Sequence, residues 1–177
     1  MPPTPIETAM DCSCERCQGL CRNKPGWFTP QQIEVVARRQ NTTVAALFKT
    51  HLTIDTALVR EAGRMTAIYV LAPAIRGKKA GAISDPTARG ECVWLKDGRC
   101  VIHDVKPAEC RATDHTMSAL DSNMLRAAIL KQWAPYRKFI QTLYGKKLKP
   151  PAAVKETYRQ AQKDAAKGSD KAERNEP

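Results

Sequence analysis

The sequence predicts a small, irregular α+β domain of short helices and β-hairpins, with a long helix towards its C-terminus. Three observations carry this. Capped, helix-periodic segments alternate with β-branched runs that flank turn residues. Aromatic residues make up only 6% of the 177 residues, which argues for a modest core. Seven cysteines fall in two tight groups, four within Asp11–Arg22 and three within Cys92–Arg111.

The elements follow in order. Residues 1–11 hold three prolines and read as a flexible leader. After the first cysteine group, Thr29, Pro30 and Gln32 form the N-cap, first position and third position of a helix with a capping box. Ile33, Val36 and Ala37 line one face of that helix, and Phe28 is placed to staple onto it. A second short helix starts at Thr43, with Val44, Leu47 and Phe48 as its stripe. The runs "LTIDTALV" and "MTAIYVLAP" around "REAGR" predict a hairpin. "AIRGKKAGAISDPTARGE" predicts a long loop. Asp97-Gly98 between "CVWL" and "CVIH" predicts a second, tight hairpin. Pro107 opens a turn that presents Cys110. From Ser118 to Tyr144 apolar residues recur at helical steps, and Pro135 should kink or split that helix. Thus residues 12–145 form the domain, and 146–177 a basic tail, partly helical or disordered.

Composition narrows the class of function. No apolar run approaches the roughly 20 residues of a membrane helix, so no membrane partner is expected. "MPPTPIETAMDCSC" has neither a basic start nor an apolar stretch, so it does not read as a secretory signal. A cytoplasmic location follows, where disulfides are rare, and seven is an odd number for a disulfide framework. The net charge of +11 would suit nucleic acid. The tail, however, mixes both signs and lacks interleaved aromatics, so nucleic acid is the less favoured partner.

Clustered thiols in a reducing compartment point instead to metal. Cys14 and Cys17 have the C-x2-C spacing that lets one turn aim two thiolates at one ion, with Cys12 and Cys21 alongside. Cys92 and Cys100 flank the tight turn, and Cys110 follows the proline turn, so these three sulfurs could converge. His103 and His115 are candidate extra ligands. A single cysteine such as Cys12 or Cys92 would also suit a core as a small hydrophobe, and each histidine more often serves as an ordinary surface or core residue. A thioredoxin-type redox pair fits poorly, because no strand precedes "CERCQGLC".

These residues resemble the YkgJ family of cysteine-cluster proteins, described as zinc- or iron-chelating. The likeness lies in Cys14, Cys17 and Cys21, in Cys92-Val93-Trp94-Leu95, in Cys100-Val101-Ile102-His103 and in Lys106-Pro107-Ala108-Glu109-Cys110-Arg111. It spans about residues 12–115. The chain departs from the family pattern in lacking an adjacent Cys-Cys pair, in His103 where Tyr is usual, and in Lys106 where Arg is usual. The resemblance implies metal binding. Zinc and an iron or iron–sulfur centre fit the spacing equally. Three roles remain open: a metal-binding module, a metalloenzyme using Asp104, Glu109, Asp114, His115 or Arg111, and a zinc module that binds nucleic acid.

Overall fold

The structure is a computed structural model that describes residues 18–61, 64–112 and 117–160. It is a mixed helix-and-strand chain, as expected. The order is α1 (Gly19–Asn23), α2 (Pro30–Arg39), α3 (Val44–His51), β1 (Leu52–Glu61), β2 (Arg64–Pro73), β3 (Leu95–Lys96), β4 (Arg99–Cys100), α4 (Ala108–Ala112), α5 (Ala119–Trp133) and α6 (Arg137–Tyr144). A further helical segment spans 152–160.

Local chemistry accounts for most boundaries. The Gln32 side chain accepts a hydrogen bond from the Thr29 N–H (2.9 Å), and Pro30 occupies the first turn of α2. Thr43 caps α3 by accepting from Ala46 N (3.2 Å). Ser118 and Asp121 form a second reciprocal cap at α5. Pro135 does split the long helix: α5 ends at Trp133, a 3₁₀ turn covers Ala134–Tyr136, and α6 follows. Asp97 and Gly98 both have positive φ (48° and 72°), the backbone of a type I′ turn, and β3 pairs with β4 across it.

β1 and β2 pair antiparallel from Leu52↔Pro73 to Glu61↔Arg64. Their buried ends make the centre of the core. Phe28, Ile33, Leu47, Phe48, Leu52, Ile54, Leu71, Ile129, Trp133 and Ile140 are all nearly inaccessible. Phe28 is held twice through its backbone: its N–H donates to Leu71 O (3.1 Å) and its carbonyl accepts from Trp133 Nε1 (2.6 Å). Leu148, beyond α6, is buried in the same core.

The loop 74–94 is not free-standing. Gly81 N donates to Leu52 O (2.8 Å), Ile54 N to Ala82 O (2.9 Å) and Ser84 N to Ile54 O (2.7 Å), so 81–84 runs beside β1. Farther on, Arg76 N donates to Glu91 O and Val93 N to Ala74 O, so 91–93 lies against 74–76. Gly90 makes the close approach possible. Its φ is +148°, and a Cβ there would sit 2.7 Å from Ile75 Cγ2.

Candidate thiol centre

The stretch 90–93 also lies against residues 21–23 on its other side. Cys92 N donates to Cys21 O (2.7 Å), and Gly90 N donates to Asn23 O (2.7 Å). Gln18, next in sequence after Cys17, is buried and donates from Nε2 to Gly98 O (2.6 Å) at the tip of the β3–β4 turn. Three backbone or side-chain bonds therefore hold the N-terminal segment along the hairpin that bears Cys92 and Cys100. Helix α1 itself has no buried residue and no side-chain cap, so these bonds, with half-buried Cys21 packed against the edge of the core, hold it in place.

Cys21, Cys92 and Cys100 consequently act on one another. Burial pushes the Cys92 thiol up to about 12, and the charges of Cys21 and Cys100 push the same way. A hydrogen bond with Cys21, followed by burial, pushes the Cys100 thiol up as well; Lys106 works against this. Cys92 is buried, whereas Cys21 and Cys100 are half-buried.

Cys110 is held by a different contact. It lies on α4, and its Sγ accepts from Gly26 N (3.3 Å). Gly26 has no room for a side chain: a Cβ would meet Glu109 Cβ at 2.9 Å and Cys110 Sγ at 3.0 Å. Cys12, Cys14, Cys17 and His115 lie outside the described residues, as does Asp114. His103 begins a short 3₁₀ turn, with Lys106 Nζ 3.4 Å from its Nε2. Among the described residues, no group of three or more His, Cys, Asp or Glu side chains is arranged to hold an ion.

Two of the acids offered to a metalloenzyme, Asp104 and Glu109, are held in ion pairs. Asp104 is exposed and paired with Arg39 (2.8 Å), whose hydrogen bond holds its carboxyl below the usual range. Arg111 donates to Asp104 O (2.8 Å). Glu109 is buried. Its Oε2 accepts from Trp27 N (2.9 Å), and its Oε1 accepts from Arg126 Nε (2.6 Å), while the Arg126 guanidinium lies over the Trp27 ring. Trp27 then donates from Nε1 to buried Asp55 (2.8 Å), which Lys24 neutralises at 3.2 Å. This polar network joins the segment after α1 to β1, α4 and α5. It is absent from the sequence reading. Its one legible trace is Asp55 itself, an acid between the apolar residues Ile54 and Ala57–Val59 of β1.

The two raised thiols give the metal-free protein a defined pH response. Folded Cys92 and Cys100 keep protons that the unfolded chain releases near its ordinary thiol pKa of about 8.5. Stability from this source is complete below that pH and is lost as pH rises towards about 12. Urea midpoints of the reduced, metal-free protein should therefore hold steady from neutral pH to about 8.5 and then fall. Cys92→Ala should flatten the decline; an unchanged profile would mean that Cys92 is not the group responsible.

No family model matches the chain, and neither a curated protein nor a solved structure matches it. Among the described residues, no helix is long and apolar enough to cross a membrane.

Proposed function

We propose that the chain is a metal-binding protein in which Cys21, Cys92 and Cys100, completed by thiols of the Cys12–Cys17 group, hold zinc or an iron or iron–sulfur centre, as its likeness to the YkgJ family suggests. The observation that carries the reading is the Cys92–Cys21 backbone bond, which brings a residue of the first cysteine group beside one of the second, with the Cys21 thiol hydrogen-bonded to that of Cys100. The Gln18–Gly98 bond supports it, because it anchors the chain immediately after Cys14 and Cys17 at the same hairpin. Soft thiolate donors suit zinc and iron–sulfur clusters over hard cations. The centre ties the N-terminal segment to the hairpin. Binding expels thiol protons, so affinity rises with pH.

Elemental analysis and a visible spectrum of protein purified without oxygen test this. Brown protein with iron and sulfide assigns a cluster, and colourless protein with stoichiometric zinc assigns a zinc centre. Folded protein with no metal and all seven thiols titratable overturns the reading.

A further inference from the structure

A second surface lies on α5. Its inner face carries Ile129 and Trp133 into the core. A surface helix with one buried face is ordinarily polar on the opposite one. Here the opposite face, at steps of four, three and four residues, reads Leu120, Met124, Ala127 and Lys131, with Asp121 and Ala128 along one edge. Leu120 is 68% exposed and Met124 64%, the two most accessible large apolar side chains among the described residues. Ala127 and Ala128 are exposed as well.

The charges on this face indicate what covers it. It carries one acid and one base, ten residues apart. Asp121 is exposed, and its Oδ2 accepts from Ser118 N (3.3 Å) and Ser118 Oγ (2.6 Å) in the helix cap. Lys131 is exposed in the last turn. Among the described residues, neither joins an ion pair. Along the helix they stand roughly 15 Å apart, too far to meet within one chain. Arg126, the other cation of α5, is engaged with Glu109. A strip with opposite charges at its two ends is complementary to a reversed copy of itself.

We propose that α5 is the contact of a homodimer, antiparallel about a twofold axis, with Leu120 and Met124 buried against the second copy and an Asp121–Lys131 ion pair at each end. Setting Asp121 level with Lys131 of the second copy also sets Met124 level with Ala128 of that copy. The long thioether then lies over small residues, where two helices approach closely. A strongly acidic or basic partner would meet a face of no net charge. A membrane fits less well, because a helix lying on one backs its apolar face with a strongly charged one. The side of α5 that backs this strip is buried in the core. One pair of helices about 22 Å long makes a small interface, and interfaces of that size form weak, transient complexes.

The test is sedimentation equilibrium of the full chain from about 5 to about 500 μM. Reductant prevents disulfide-linked dimers, and about 0.15 M salt screens the net charge of +11. The mean mass should rise with concentration from 19.6 kDa towards twice that value. Met124→Lys should weaken association at least about tenfold. Lys131→Glu sets two acids against each other at both ends and should weaken it about fivefold. Both side chains are exposed, so melting should match the parent. Carbodiimide coupling of a mixture of isotope-labelled and unlabelled chains should link Asp121 of one kind to Lys131 of the other. Three results would overturn the proposal. One is a mass that stays at 19.6 kDa throughout. Another is self-association that Met124→Lys leaves unchanged, which places the contact elsewhere. The third is a chain that stays monomeric but binds phosphatidylserine vesicles and loses that binding in Met124→Lys.

Discussion

On the proposed metal-binding role, stripping metal with a chelator is expected to lower the melting temperature by roughly 10–20 °C. Structural metal supplies on the order of 10 kcal/mol of folding free energy in small domains. Half of that, at about 2–4 °C per kcal/mol for a chain of this size, gives the quoted range. The effect should be large here because α1 buries no side chain. Without thiolate–metal bonds, its segment is attached through Cys92 N–Cys21 O, Gly90 N–Asn23 O and Gln18 Nε2–Gly98 O and through the partial burial of Cys21. Cys92→Ser and Cys100→Ser should each reproduce most of the loss and abolish stoichiometric metal. Differential scanning fluorimetry with elemental analysis reads both quantities. Melting that ignores the chelator would remove the stapling role even if metal were present.

Glu109→Ala is expected to cost about 2–4 kcal/mol, a fall of roughly 5–15 °C. The change leaves the Trp27 N–H without its acceptor inside the core and Arg126 without its partner. Breaking a fully buried ion pair costs about 3–5 kcal/mol. Arg126 is 40% exposed and keeps part of its hydration, so the expected cost falls about 1 kcal/mol below that range. Glu109→Gln retains an acceptor for Trp27 N and should cost about half as much. Chemical denaturation of both variants in the same metal state checks the order. Equal costs would show that the charge, rather than the hydrogen bond to Trp27, holds α4 in place.

Much of the secondary structure was legible because its causes lie within a few residues. The Thr29–Gln32 cap, the Thr43 cap, the Asp97-Gly98 turn and the break at Pro135 each depend on one side chain acting on nearby backbone. The β1–β2 hairpin was legible for the same reason, its two β-branched runs lying close together in sequence. The long loop was legible as a loop, but its course was not. Nothing in "AIRGKKAGAISDPTARGE" announces that 81–84 will lie along β1, or that Gly90 must be glycine to clear Ile75.

The candidate centre divides in the same way. The grouping of the thiols, and the nearness of Cys92 to Cys100 across a tight turn, follow from spacing alone. That Cys21 comes up against the pair does not. It depends on 90–93 being gripped between 74–76 and 21–23, a contact between segments far apart in the chain. The Trp27–Asp55–Glu109–Arg126 network was equally hidden, since burial of a carboxylate is settled by what four separate elements place around it. The sequence by itself determined the caps, turns, helix break and thiol grouping, because short-range sterics and hydrogen bonds specify them. Only the tertiary structure decided how the long loop runs, that Cys21 meets Cys92 and Cys100, and which acids are buried, because those outcomes depend on backbone pairing and desolvation across distant segments.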